Sequence, residues 1–330
     1  MGKRLNDWTE ALKNSHLARM ESMVSLNGRD QVKGVLLGCL FYVGALGVQR
    51  AENLTSKVDF IRQSWAQETD YPRPYHVFMP EKAQSKPLKL ILFLHGNGGT
   101  PLGAKKQFFR QFPYFAQHYA CVFPEGYAKS WNIVSEASKA DDLAFIESII
   151  QRLLQYDNVV KTHVTVIGSS NGAAMVNQLA IESQMPQIKN LVTLVSPLNE
   201  FQHDGAFFRK KGPNNGYTEA AQPLRGRRLM NVSGAMDRLV PYDGGPSSRI
   251  PAKGGRLAFL PAETSTFLWA QCMGFEGNSP QESMDANASM ELFRYLNGDI
   301  IHIKIPDKGH NAGSFLTEKT LRDFLGGSNE

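Results

Sequence analysis

The sequence predicts an α/β domain over residues 75–330, with a mostly parallel central sheet and helices on both faces. Three observations carry this expectation. Strand-like and helix-like segments alternate to the C-terminus, the signature of strands joined by helical crossovers. The run 88–94 (LKLILFL) is apolar apart from one lysine, as a strand covered on both faces must be. The segment 163–167 (HVTVI) runs straight into a glycine-flanked turn and then an alanine-rich helical pattern.

Composition permits such a core. The chain has 330 residues, 42% apolar, 20% charged and 10% aromatic, fractions of a globular protein rather than a disordered or fibrous one. Lys and Arg total 36 against 31 Asp and Glu, a net charge of +5. The basic residues form only short pairs, such as Lys105-Lys106 and Arg227-Arg228. Without a basic stripe interleaved with aromatics, nucleic acid is not an expected partner. Three cysteines (Cys39, Cys121, Cys272) exclude a disulfide scaffold, and no CxxC pair suggests zinc.

Residues 1–47 read as a leader. Val35 to Val48 (VLLGCLFYVGALGV) is a 14-residue apolar run preceded by Arg29 and Lys33. A membrane span needs about 18 residues or more, so the run suits the core of a signal peptide cleaved near Gly47. An uncleaved anchor is the alternative, and only then is a membrane a partner. Export is the expectation that follows. Residues 48–74 read as a lead-in, and 75–79 (YHVFM), closed by Pro80, as an early strand. After 88–94, residues 120–123 form a short strand closed by Pro-Glu-Gly. Residues 141–156 carry apolar positions 143, 146, 149, 150, 153 and 154, a helical face with acids in the first turn. A helix follows over 171–183, then strands over 191–195 and 229–232, a helix over 267–273, a strand over 300–305 and a final helix over 314–325.

Gly168-Ser169-Ser170-Asn171-Gly172 is a G-x-S-x-G between a strand and a helix. That context makes it a candidate nucleophile elbow, with glycines where the turn leaves no room for a Cβ. A serine hydroxyl needs a base within hydrogen-bond reach, and the base needs an orienting acid. Where such an elbow carries a triad, the chain order is serine, acid, histidine. Only His203, His302 and His310 follow Ser170. His302 lies in a strand pattern and His203 precedes every well-placed acid, so His310, in the loop after the late strand, is the expected base. Asp237 follows the strand 229–232 and is the expected acid; Asp243 and Asp307 are the alternatives. The backbone N–H of Asn171 and that of Asn97, in the glycine loop after LKLILFL, are the expected oxyanion donors. That glycine loop lacks the Lys-Ser/Thr ending of a phosphate-binding loop.

Together these segments resemble the α/β-hydrolase superfamily, and more closely the polyhydroxybutyrate depolymerase and feruloyl/acetylxylan esterase group, carbohydrate esterase family 1. The resemblance rests on LHGNGG (94–99), PEGYAKSWN (124–132), ADDLAFIESII (140–150), VIGSSNGAAM (166–175), SGAMDRLVPYDGG (233–245) and KGHNAG (308–313), in the family's order. It implies an α/β-hydrolase fold with Ser170 as nucleophile, Asp237 as acid and His310 as base. It also implies a serine esterase without metal or organic cofactor, acting on a small or oligomeric carboxylic ester. By the same likeness Trp131 lines the substrate pocket; a packed core aromatic is the alternative. The chain departs from the family in Ala173-Ala174 after the elbow and in Asn311-Ala312-Gly313 after the histidine. Residues 200–226 fall where such enzymes vary their lid, and are expected to hold selectivity. A serine peptidase, or a binding protein that kept the fold without the chemistry, are the competing functions.

Overall fold

The computed structural model of the protein describes residues 52–82, 85–278, 283 and 289–326. The leader 1–47 and Cys39 lie outside the described residues. Among the described residues no helix is long and apolar enough to cross a membrane.

The chain opens with a hairpin, β1 (Lys57–Trp65) and β2 (Glu68–Phe78). It continues through β3 (Leu88–Leu94), α1 (Pro101–Gln111), α2 (Pro113–His118) and β4 (Ala120–Pro124). Next come α3 (Asp142–Leu153), β5 (Val159–Ser169), α4 (Asn171–Glu182) and β6 (Ile188–Leu194). Two short pairing segments, β7 (Arg209–Lys210) and β8 (Glu219–Ala220), precede β9 (Arg228–Gly234). A second hairpin, β10 (Gly245–Ala252) and β11 (Gly255–Phe259), leads to α5 (Ala262–Met273). The chain ends with β12 (Glu291–Tyr295), β13 (Ile300–Ile305) and α6 (Glu318–Gly326).

Nine strands form the main sheet in the order β1-β2-β4-β3-β5-β6-β9-β13-β12. The run from β4 to β13 is parallel, and β1, β2 and β12 add antiparallel edges. This order is that of the α/β-hydrolase fold. Strand alternation builds a core on each face. Leu90, Leu92 and Leu94 of β3 join the cluster containing Ile146 and Ile149 of α3 and Met175 and Leu179 of α4. Ile91 and Phe93 join the opposite cluster with Phe108 of α1, Phe115 of α2 and Phe324 of α6. The helix after β3 therefore covers one face and the helix after β5 the other. Ligands of open α/β sheets bind where connections diverge in this way, at the carboxyl ends of the strands.

Residues 48–74, read from sequence as a lead-in, contain β1 and most of β2, and position 75 falls inside a strand. Pro72 and Pro74 disguise β2, because proline argues against a strand interior. The hairpin is tied to the domain by a buried ion pair. Arg73 of β2, 1% exposed, reaches Asp142 of α3 at 2.5 Å. The second oxygen of Asp142 accepts from the Asn132 N–H at 2.6 Å. One carboxylate thus fixes an edge strand, a helix start and the 131–132 loop together. Breaking such a pair leaves an uncompensated buried charge, which typically costs about 3–5 kcal/mol. The side chain of Asp141 caps the same helix by accepting from the Ala144 N–H at 3.1 Å.

Candidate active site

Ser170 stands between β5 and α4 with φ 53 and ψ −118, a left-sided conformation rare for residues other than glycine. The turn closes because its flanks are glycines. A Cβ on Gly168 would lie 2.2 Å from the Gly172 carbonyl oxygen, and one on Gly172 would lie 2.3 Å from the Leu94 oxygen. The Ser170 N–H donates to the Leu194 carbonyl at the end of β6, at 2.8 Å. The hydroxyl is left facing the cavity beyond the strand ends.

His310 follows β13 in a loop, and its Nε2 lies 2.8 Å from Ser170 Oγ. Its Nδ1 lies 2.7 Å from Asp237 Oδ2. The other Asp237 oxygen accepts from the N–H groups of Leu239 at 2.8 Å and Val240 at 2.9 Å. Asp237 is buried. The rivals are not assembled in this way: Asp243 and Asp307 are both exposed. A feature not read from the sequence makes the meeting possible. A Cβ on Gly234 would lie 2.3 Å from the Lys308 oxygen and 2.4 Å from the Gly309 oxygen. Only glycine lets the loop carrying the acid and the loop carrying the histidine touch. Backbone bonds from Ala235 to Ile305 and from Met236 to Lys308 then lock them. The remaining histidines are elsewhere: His203 is buried beside Phe208, and His302 is fully buried inside the sheet.

The glycine loop 95–99 lies beside the serine, with an ideal Cβ on Gly96 3.5 Å from Ser170 Cβ. Asn97 and Asn171 both line the cavity with Ser170. The Asn171 N–H belongs to the first turn of α4, where helix amides lack an intrahelical acceptor. Among the described residues the Asn97 N–H has no acceptor either. The loop is braced from below. His95, buried, holds the Gly96 carbonyl with Nδ1 at 2.8 Å and accepts the Gly126 N–H on Nε2 at 3.0 Å. This is the neutral tautomer, and burial pulls its pKa down accordingly. The Gly98 N–H adds a bond to the Lys129 oxygen at 2.8 Å.

Trp131 is a correction to the sequence reading. It does not line the cavity; it is 0% exposed and its indole donates to the His95 oxygen at 2.8 Å. It is a packed brace for the glycine loop, because its polar edge finds a buried acceptor there. Its backbone is clasped by the Asn171 side chain, whose Oδ1 accepts from Trp131 N–H at 2.7 Å and whose Nδ2 donates to the Trp131 oxygen at 3.0 Å.

The cavity has a volume of about 460 Å³. Ile133, Ala174 and Leu239 are among its apolar walls. One half-buried carboxylate, Glu136, also faces it. Its outer wall comes from β10 and β11 through Arg249, Ile250, Pro251, Leu257 and Phe259. Residues 200–226, expected to govern selectivity, contribute nothing to this lining. They buttress the wall from behind: Asn215 donates to Asn132 and Val134, and Tyr217 to Ile133. Hairpin β10–β11 was not read from the sequence, because its pattern GPSSRIPA carries two prolines and no clean alternation.

No family model matches the chain. The chain is similar to the acetylxylan esterase of Coprinopsis cinerea, 34% identical over 116 residues, covering 32% of this chain and 30% of that protein. It is similar to feruloyl esterase B of Piromyces equi, 24% identical over 163 residues, covering 49% of this chain and 27% of that protein. The match thus spans less than a third of the length of either relative. Among solved structures, an acetyl xylan esterase from Aspergillus awamori aligns with a TM-score of 0.47 at 15% identity, covering 77% of this chain and 93% of that one.

Proposed function

We propose that this protein is a carboxylic ester hydrolase that works through Ser170, His310 and Asp237 by way of an acyl-enzyme. The observation that carries the reading is the unbroken relay of 2.8 Å and 2.7 Å contacts from Ser170 through His310 to Asp237. It opens into a cavity that also holds Asn97 and Asn171.

The chemistry follows from the geometry. His310 carries its proton on Nδ1, donated to Asp237, so Nε2 is free to accept the Ser170 proton. The Ser170 oxygen bonds to the ester carbonyl carbon as that proton moves to Nε2. The carbonyl oxygen becomes an oxyanion within reach of the Asn97 and Asn171 N–H groups, which stabilise it where the charge develops. The carbon–oxygen bond to the alcohol breaks as His310 returns the proton to the leaving oxygen. Water then repeats the sequence, its proton passing to His310, and the acid departs as Ser170 regains its hydrogen.

The acetyl and feruloyl esters named for the two relatives are proposed as the substrate range, together with hydroxyalkanoate oligomers. A cavity of about 460 Å³ with largely apolar walls suits an acyl group of that span. Export is proposed on the apolar run 35–48, and mass measurement of the secreted protein tests it.

The test is a panel of p-nitrophenyl acetate, p-nitrophenyl butyrate, methyl ferulate, acetylated xylan and hydroxybutyrate oligomers, with Ser170→Ala alongside. The expected result is turnover of at least one ester class that falls by about 10³-fold or more in Ser170→Ala. A fluorophosphonate should label Ser170. An unlabelled Ser170 and no turnover of any ester would overturn the assignment.

A further inference from the structure

Among the described residues Glu136 is the one carboxylate on the cavity lining, and its two oxygens are treated differently. Oε2 accepts from the N–H groups of Ile133 at 2.9 Å and Val134 at 2.6 Å, which fills its lone pairs. Oε1 has one contact with another residue, a long 3.2 Å bond from Asn171 Nδ2; the Glu136 N–H itself also bonds the carboxylate, and the residue faces the same space as Ser170. The Asn171 amide spends its better geometry on Trp131, at 2.7 Å and 3.0 Å. Glu136 is thus anchored by one oxygen and under-supplied with donors at the other. The surrounding walls add no further bond: Ser135 and Ser196 on the lining make none to Glu136, and Ile133, Ala137, Ala174, Leu239 and Val240 are apolar there. The cation on the lining, Arg249, is exposed on β10 and makes no ion pair with Glu136. Removal from water holds the Glu136 carboxyl above its usual range, even though the backbone donors and Lys139 pull the other way. A carboxylate in this condition gains more from a donor on a ligand than the same group in water would.

Resting on the esterase reading above, we propose that Glu136 is a specificity-determining residue that accepts a hydrogen bond from the acyl half of the substrate. The preferred acyl group carries a donor, either a hydroxyl or an ammonium, a few bonds from its carbonyl. Ser170 attacks the carbonyl while Oε1 of Glu136 holds the far donor, so the two contacts orient the acyl chain across the cavity. A plain alkyl chain of the same length fits the apolar walls but leaves the carboxylate dehydrated and unanswered, which lowers its rate. Sites built to bond a polar substrate group discriminate strongly against analogues that lack it, because their own buried group is then left unpaired.

The experiment compares p-nitrophenyl butyrate with its 3-hydroxy and 3-amino analogues, in the wild-type protein, Glu136→Gln and Glu136→Leu. The readout is the ratio of kcat/KM for each donor-bearing ester to that for butyrate. This ratio is internal to each preparation, so partial unfolding of a variant does not distort it. We expect a wild-type ratio of about tenfold or more for at least one donor-bearing ester. Glu136→Leu should bring it near one. Glu136→Gln should keep a hydroxyl preference and lose an ammonium preference, which separates the two donors. If Glu136→Leu turns over nothing, Glu136→Ala, equally unable to accept a hydrogen bond, takes its place in the comparison. Equal ratios in wild type and variants, with butyrate still hydrolysed, would overturn the role of Glu136 and leave the esterase standing. No hydrolysis of any ester by the wild type would overturn both.

Discussion

Small side chains decide whether this site can exist, and a buried histidine in β13 decides how the protein meets acid. Gly168 and Gly172 make the serine turn sterically possible, and Gly234 lets the acid and histidine loops meet. His302 shows the opposite kind of constraint. It is fully buried in β13, with Nδ1 2.9 Å from Asn231 Oδ1 and Nε2 2.8 Å from the Tyr242 hydroxyl. Burial first, and the Lys304 charge second, lower its pKa to about 3. In the unfolded chain a histidine titrates near ~6.5. Below that value the unfolded state therefore takes up a proton that the folded state refuses. The stability contributed is present above pH ~6.5 and is lost as pH falls toward the folded value. Between pH 7 and pH 5 this one group should remove about 2 kcal/mol. Urea unfolding at both pH values measures the loss, and His302→Gln should flatten the slope by that amount. An unchanged slope in the variant would show that His302 is protonated in the fold.

The outer cavity wall is built by hairpin β10–β11 rather than by the excursion at 200–226. The hairpin supplies Ile250, Pro251, Leu257 and Phe259 to the cavity wall, while Asn215 and Tyr217 only support the 132–134 backbone. Leu257 is buried with its side chain on the lining. Leu257→Trp should fill part of the cavity. We expect kcat/KM for the butyrate and ferulate esters to fall by about tenfold or more while acetate is retained. Uniform loss across all three esters, or none, would show that Leu257 does not bound the acyl site. The buried pair of Arg73 and Asp142 works at the same level, since it ties hairpin β1–β2 to the helix and loop behind the cavity.

Across the molecule, the sheet separates two cores, and that separation governs the cysteines. Cys121 is packed in the cluster on the face of α1 and α6, and Cys272 lies against the cluster on the opposite face. Both are free thiols. Burial raises the pKa of each. Alkylation followed by peptide mapping should therefore find Cys121 untouched and Cys272 slow in the native protein, and both reactive once unfolded without reductant. A fragment joining the two would contradict the arrangement. The fold class was legible because apolar runs such as 88–94 and the helical face of 141–156 report burial through local periodicity alone. The glycine-serine elbow was legible because its backbone demand is written in residues four apart. Asp237 and His310 could be named in sequence, but their meeting across 73 positions of chain depends on Gly234 and on two strand ends lying side by side. The family likeness put Trp131 on the pocket wall with a packed aromatic as the alternative, and the packing around His95 decides for the alternative. Hairpin β1–β2 and hairpin β10–β11 were hidden by the prolines in β2 and β10. Periodicity and tight turns are local quantities, so the chain's order of residues determined them. Which loops share the cavity, and which oxygen of Glu136 is left without a full set of donors, are consequences of long-range packing that only the folded chain decides.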